Sequence, residues 1–167
     1  MACATVEDAG FQPGSFGAIG MFDVIEHIDD DRNFLASIAP LLAPGGRLYL
    51  TVPCHQWLWS QADVHAGHFR RHTTRSLMAL LDGFFEIDYL SHFFRPLIAP
   101  QFLFRALPYR LGIGRNKNLL SAEAEHGSDN GVVVRAISRL LESEAKVIAD
   151  GESLGWGSSC IVAAHRL

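Results

Sequence analysis

The chain is poor in the features that mark several broad classes. It has only three cysteines, Cys3, Cys54 and Cys160, spread far apart and with no C-x-x-C pair. That excludes a disulfide framework and a zinc knuckle, and points to a reducing compartment. No apolar run approaches the roughly 20 residues that span a bilayer, and the amino terminus lacks a charged-then-apolar export pattern. A cytoplasmic location is therefore expected. Charged residues make up only 19% of the chain and sum to −4, without the basic excess of a dedicated nucleic-acid binder. No internal repeat and no low-complexity tract occurs.

What is present suits a globular domain: 167 residues, 49% of them apolar, enough to bury one core. Residues 2–6 read as the tail of a strand, and Pro13, Gly14 and Ser15 punctuate a turn. Phe16 to Ile25 is nearly continuous in apolar residues, which predicts a strand buried on both faces in a parallel sheet. Asp29, Asp30 and Asp31 then offer an N-cap, and Phe34, Leu35, Ile38, Leu41 and Leu42 form one helical stripe. Pro44-Gly45-Gly46 is expected to stop that helix, and Arg47 to Pro53 to form a second strand parallel to the first.

Residues 54–72 read as irregular, aromatic and histidine-rich. Thr73 or Thr74 caps a helix carrying Leu77, Met78, Leu80 and Leu81, which ends at Asp82-Gly83. Phe85, Ile87 and Tyr89 alternate with Glu86 and Asp88, the pattern of a half-exposed strand. Leu97 to Leu111 is apolar but interrupted by Pro100 and Pro108, and residues 121–131 are a polar loop. Val133, Ile137, Leu140, Leu141 and Ile148 make a last helical stripe, with Glu144 out of place within it, before a closing strand from Ser159 to Leu167.

Three sets of side chains could carry chemistry. Asp23-x-x-Glu26-His27 stands where a strand ends, the edge at which open α/β sheets bind ligands. Asp23 and Glu26 suit a hard cation and His27 would add a borderline ligand; the plainer reading is that Glu26 and His27 hydrogen-bond neighbouring loops. His55, His65, His68 and His72 crowd into 18 residues. A histidine near neutral pKa can take a proton from an acceptor hydroxyl, and His65-x-x-His68 could complete a metal site with Glu26 and His27. Arg70, Arg71 and Arg75 surround a capped helix start, where they would either hold an anion or pair with Asp63 or Asp82. Trp57 and Trp59 would wall a pocket or simply cover the sheet end. Phe93 to Leu111, with Arg95, Arg105, Arg110 and Arg115 interspersed, either packs as an insertion, the reading favoured, or lies on a membrane surface.

The succession Phe22-Asp23-Val24-Ile25-Glu26-His27-Ile28, capped helix, Pro44-Gly45-Gly46 and strand resembles the class I (Rossmann-like) S-adenosylmethionine-dependent methyltransferases. The later run LWSQADVHAGHFRRHT is similar to a subgroup of bacterial methyltransferases. The resemblance implies an α/β fold, a partial Rossmann-like sheet of the family's strands four, five, seven and six, the last in sequence antiparallel, with flanking helices. It implies one domain over 1–167, the carboxyl-terminal half of the family's own, with the sheet core in 1–92 and 159–167 and a mostly helical insertion in 93–158. Thr5, Val6 and Glu7, in the loop bordering the adenine, and Met21, Phe22 and Asp23, at the methionine side, would bind the cofactor. His65, His68 and His27 would be the catalytic candidates, and Glu26 and His27 the candidate metal ligands. In some related O-methyltransferases a similar motif binds a divalent cation.

Departures accompany the likeness. The family's first strand, its Gly-x-Gly-x-Gly loop and the acid ending its second strand would all precede Met1, and neither Gly14-x-x-Gly17-x-x-Gly20, Gly112-x-Gly114 nor Gly155-x-Gly157 replaces that loop. Thr5 and Gly17 stand where the family often has aspartate. The expected activity is methyl transfer from S-adenosylmethionine to a small or lipid-linked acceptor, with this chain incomplete for catalysis. The rivals are a non-catalytic half-fold that dimerises through the exposed edge of its first strand, and a metal-dependent hydrolase built on Glu26, His27, His65 and His68.

Overall fold

The computed structural model describes residues 6, 8–113 and 131–167, with the side chains of Val132 and Val133 left out. Thr5, Glu7 and Arg115, nearly all of the expected strand tail at 2–6, and the polar loop up to residue 130 lie outside the described residues; Val6 sits in a turn.

Four strands form one sheet in the order β1-β2-β4-β3. β1 (Phe16–Phe22) runs parallel to β2 (Leu42–Pro53), and β4 (Ser159–Arg166) is antiparallel to both β2 and β3 (Phe85–Phe93). This is the strand order and direction expected from the sequence. The period-two alternation of strands decides which residues face the core. Leu48, Leu50 and Val52 of β2 meet Cys160, Val162 and Ala164 of β4 on one buried face. Two helices cover that face. α1 (Asp31–Ile38) is capped by the Asp30 carboxylate, which accepts the Asn33 N–H at 3.1 Å, and buries Leu35 and Ile38. α3 (Thr74–Leu81) starts in a capping box between Thr73 and Ser76 and buries Leu77, Leu80 and Leu81.

Three local expectations are corrected. β1 stops at Phe22 instead of reaching Ile25: Asp23 turns the chain with φ of 53°, and Ile25–His27 is a 3₁₀ turn. Nor is β1 buried on both faces. It is a sheet edge, with Gly17, Ala18, Gly20 and Phe22 exposed and only Met21 buried. The helix before β2 ends at Ile38, and a 3₁₀ turn through Pro40 follows. Pro44-Gly45-Gly46 stops no helix. It forms a bulge inside β2, where register jumps from Phe16↔Leu42 to Ala18↔Arg47. Glycine is required there, because Gly45 has φ of 70° and a Cβ on Gly46 would lie 2.8 Å from the Ala43 carbonyl.

The histidine-rich stretch is more ordered than expected. A 3₁₀ turn (Gln56–Leu58) leads to α2 (Gln61–Ala66), which Ser60 and Asp63 cap reciprocally and Gly67 ends in the left-handed region. Beyond β3, the prolines do not break the apolar arm. α4 (Ile98–Gln101), a π-helical stretch (Phe102–Ala106) and α5 (Leu107–Arg110) follow one another, with Pro100 and Pro108 in the opening turns of α4 and α5. α6 (Val132–Ala149) carries the last stripe. Its out-of-place Glu144 is 4% exposed and accepts the backbone N–H groups of Phe94 at 2.8 Å and Arg95 at 3.1 Å, besides the Arg95 Nε–H at 3.1 Å. No helix among the described residues is long and apolar enough to cross a membrane.

Candidate active site

The parallel strands β1 and β2 end side by side, and their ends position the site. The Asp23 N–H donates to the Thr51 carbonyl at 3.1 Å, while its Oδ1 accepts the Thr51 hydroxyl at 3.2 Å. That double tie directs the chain out of β1 into the turn bearing Glu26 and His27. Phe22 is 62% exposed beside Asp23, whereas Met21 packs into the core.

Glu26 is wholly buried, and neither carboxylate oxygen makes a hydrogen bond among the described residues. Its pKa is raised, first by burial and then by the charge of Asp23; the nearby Glu26 backbone N–H, short of hydrogen-bond geometry, and the charges of His68 and His27 partly offset this. The His27 and His68 rings meet edge to face at 4.7 Å. One donor atom each from Glu26, His27 and His68 lies within 4.8 Å of the others. The Phe69 N–H donates to the Glu26 carbonyl at 2.8 Å and fixes the loop against the turn.

Behind His68 stands Asp63, a residue not singled out from the sequence as a site residue. Its side chain is 1% exposed. Oδ1 takes the Arg71 Nε–H at 2.7 Å and faces His68 Nδ1 at 3.0 Å, while Oδ2 takes Arg71 Nη2 at 3.2 Å and the Ser60 N–H at 2.9 Å. Burial pushes the Asp63 pKa up, but the hydrogen bonds and charge of Arg71, with those from His68 and Ser60, outweigh it and hold the carboxyl below its ordinary range. Its sequence signals were the expected pairing of the arginine cluster with Asp63 and the Ser60-x-x-Asp63 capping spacing.

The remaining candidates fall elsewhere. His65 is exposed on α2 and outside the Glu26–His27–His68 group. His72 is buried, 3.8 Å from Asp31, with its pKa lowered by burial, against which the charge of Asp31 acts. His55 stacks between Trp57 at 5.5 Å and His92 at 6.0 Å; burial and then the charge of His92 lower its pKa. Trp57 also meets Phe102 edge-on at 5.7 Å, and Trp59 is half-buried. The arginine cluster divides: Arg70 pairs with Asp31 at 2.7 Å, Arg71 with Asp63, and Arg75 stays exposed at the start of α3. Two cysteines that look remote in sequence share the core face, where the neighbouring Cys160 thiol and burial push the Cys54 thiol pKa up.

The fold is Rossmann-like, with the ionisable cluster at its strand ends. A family profile described as "Methyltransferase domain" matches residues 2–84. Over 48 residues the chain is 44% identical to the ubiquinone biosynthesis O-methyltransferase of Xanthomonas campestris pv. campestris, a match covering 28% of this chain and 20% of that enzyme. Among solved structures it is similar to the geranyl diphosphate C-methyltransferase of Streptomyces coelicolor A3(2), with TM-score 0.53 and 17% identity, covering 99% of this chain and 52% of that one. It is also similar to a putative methyltransferase of Haloferax volcanii seen with its Trm112 activator, with TM-score 0.52 and 12% identity, covering 93% and 56%. The [4+2]-cyclase SpnF shares the fold too, with TM-score 0.51 and 18% identity, covering 98% and 54%. The chain spans about half the length of these solved relatives. Residues 2–84 carry the methyltransferase-domain pattern, and the fold is that of the class I S-adenosylmethionine-dependent methyltransferases.

Proposed function

We propose that the chain takes part in methyl transfer from S-adenosylmethionine to a small-molecule acceptor, with His68 as the base that receives the acceptor's proton. The observation that carries this reading is the convergence of Glu26, His27 and His68 at the ends of the parallel strands. Bound S-adenosylmethionine would supply an electrophilic methyl group on a sulfonium. Phe22 and the Asp23 carboxylate, open at the same edge, fit its apolar and polar parts; Val6, which packs against the core, stays in this set with Thr5 and Glu7 by family position alone. The protein's contribution is then to hold donor and acceptor in line and to provide a proton acceptor at the attacking atom. His68 suits that task better than His65, which is outside the group, or His27, whose exposed ring lacks a carboxylate partner like Asp63 among the hydrogen bonds described. Residues 93–158 are read as an insertion over the sheet.

A second reading uses the same atoms. The unpartnered Glu26 carboxylate, His27 and His68 make a donor set for a divalent cation, and a carboxylate behind a ligating histidine is a usual outer-shell arrangement. Self-association through the outer edge of β1 is proposed as well.

Calorimetric titration of the full chain with S-adenosylmethionine, repeated with Mn²⁺, tests both readings. Saturable cofactor binding, weakened at least tenfold in Asp23→Ala, is expected for the transferase. Absence of binding at millimolar cofactor would overturn it for this chain. Mn²⁺ binding that disappears in Glu26→Gln without any cofactor binding would leave the metal reading alone.

A further inference from the structure

We propose that Asp63 is the positioning residue for His68: clamped by Arg71 and Ser60, it fixes the ring in the tautomer that carries its proton on Nδ1 and leaves Nε2 as the free base. This deepens the transferase reading and rests on it for its catalytic meaning.

The argument starts from donors and acceptors. An ionised carboxylate only accepts hydrogen bonds, and Asp63 is buried against a guanidinium fork that keeps it ionised. Its partner at 3.0 Å must therefore donate, so the proton sits on His68 Nδ1. The neutral imidazole then has one basic atom left, Nε2, on a ring that contributes a nitrogen to the group with Glu26 and His27. The hold is double, because the His68 backbone N–H also donates to the Asp63 carbonyl at 3.0 Å. Arg71 is held in turn, its N–H donating to Gln56 Oε1 at 3.0 Å and its Nη1 to the Cys54 carbonyl at 3.3 Å. The clamp thus ties α2, the end of β2 and the 3₁₀ turn between them to one ring orientation. A His68 ring 15% exposed can still be reached by a ligand.

Asparagine at 63 would bring an amide NH₂ among groups that all donate. At the Oδ2 position it would meet two N–H donors, from Arg71 and Ser60; at the Oδ1 position it would meet one, from Arg71, and His68, whose Nδ1 can become an acceptor, so the amide settles there and moves the His68 proton to Nε2, disabling the base.

The test is a long-range ¹H–¹⁵N spectrum of the ¹⁵N-histidine-labelled full chain near pH 7.5. Wild type is expected to show His68 protonated at Nδ1 and bare at Nε2. Asp63→Asn should reverse that assignment, while His55 and His72 keep theirs. Arg71→Lys, which keeps the charge and removes the fork, should retain the tautomer but speed exchange of the ring N–H at least tenfold. A wild-type His68 protonated at Nε2, or a folded Asp63→Asn chain with an unchanged His68, would overturn the proposal, and the wild-type spectrum decides even if Asp63→Asn fails to fold. A chain that binds no cofactor but shows this pattern loses the transferase reading and keeps the clamp. One that binds cofactor with His68 unlocked loses only the clamp.

Discussion

At the scale of single residues, Glu26 is the plainest conflict between folding and function. A buried carboxylate with no hydrogen-bond partner among the described residues opposes folding whenever it is ionised. The sign follows from its raised pKa. The folded state prefers the neutral acid, so its contribution is fully present below the unfolded value of about 4.5 and is lost as pH rises through the folded value. Glu26→Gln should therefore raise the melting temperature at pH 8 by roughly 2–4 °C, equivalent to about 1 kcal/mol for a chain of this size. The gain should vanish at pH 4, and thermal unfolding followed at both values checks it. A lower Tm for Glu26→Gln at pH 8 would mean that the carboxylate has a partner in solution. Asp63 is the contrasting case, a buried acid held by five contacts, and the difference between the two is the difference between an open site and its support.

Among the secondary-structure elements, what could be read in advance depended on how far apart in sequence the controlling contacts lie. The helices α1 and α3 and the strand alternation were legible because caps and periodicity act within a few residues. The bulge at Pro44-Gly45-Gly46 was not, because Pro-Gly-Gly punctuates a helix end as well as a strand, and only pairing with β1 distinguishes them. α2 was hidden among polar and aromatic residues, although Ser60-x-x-Asp63 was there to be read. His27 and His68 were visible as candidates for one shared site, although His65, grouped with them, stands exposed on α2, and of the two readings of Arg71, anion binder or partner of Asp63, the pairing is the one formed. Glu144 makes the point most sharply. A charge in an apolar stripe reads as a flaw until it is seen to accept two backbone N–H groups at the start of the arm leaving β3. Glu144→Ala leaves those part-buried donors without their acceptor, and should destabilise the fold by about 1–2 kcal/mol, read as a lower urea midpoint. A change under about 0.5 kcal/mol would show that water replaces the carboxylate freely.

For the molecule as a whole, the decisive property is that its sheet has an open parallel edge. Among the described residues β1 pairs only with β2, and its outer side offers a row of backbone donors and acceptors next to the exposed Phe22. Natural proteins blunt such edges with charge, proline or a covering element, and FGAIGMF contains neither a charge nor a proline. Two copies could satisfy each other there about a twofold axis, which needs no additional segment and would extend the four strands to eight. Sedimentation velocity over a hundredfold concentration range should then show a monomer–dimer equilibrium in the full chain. Ala18→Lys, at an exposed position of β1, should hold the protein monomeric while leaving its unfolding midpoint within about 0.5 kcal/mol of the parent. If the parent chain sediments as a monomer throughout that range, the edge is not a self-association surface. If it dimerises and Ala18→Lys dimerises equally well, the contact lies elsewhere, and the exposed apolar residues Leu103, Phe104 and Leu111 of the helical arm and its end become the surface to alter next.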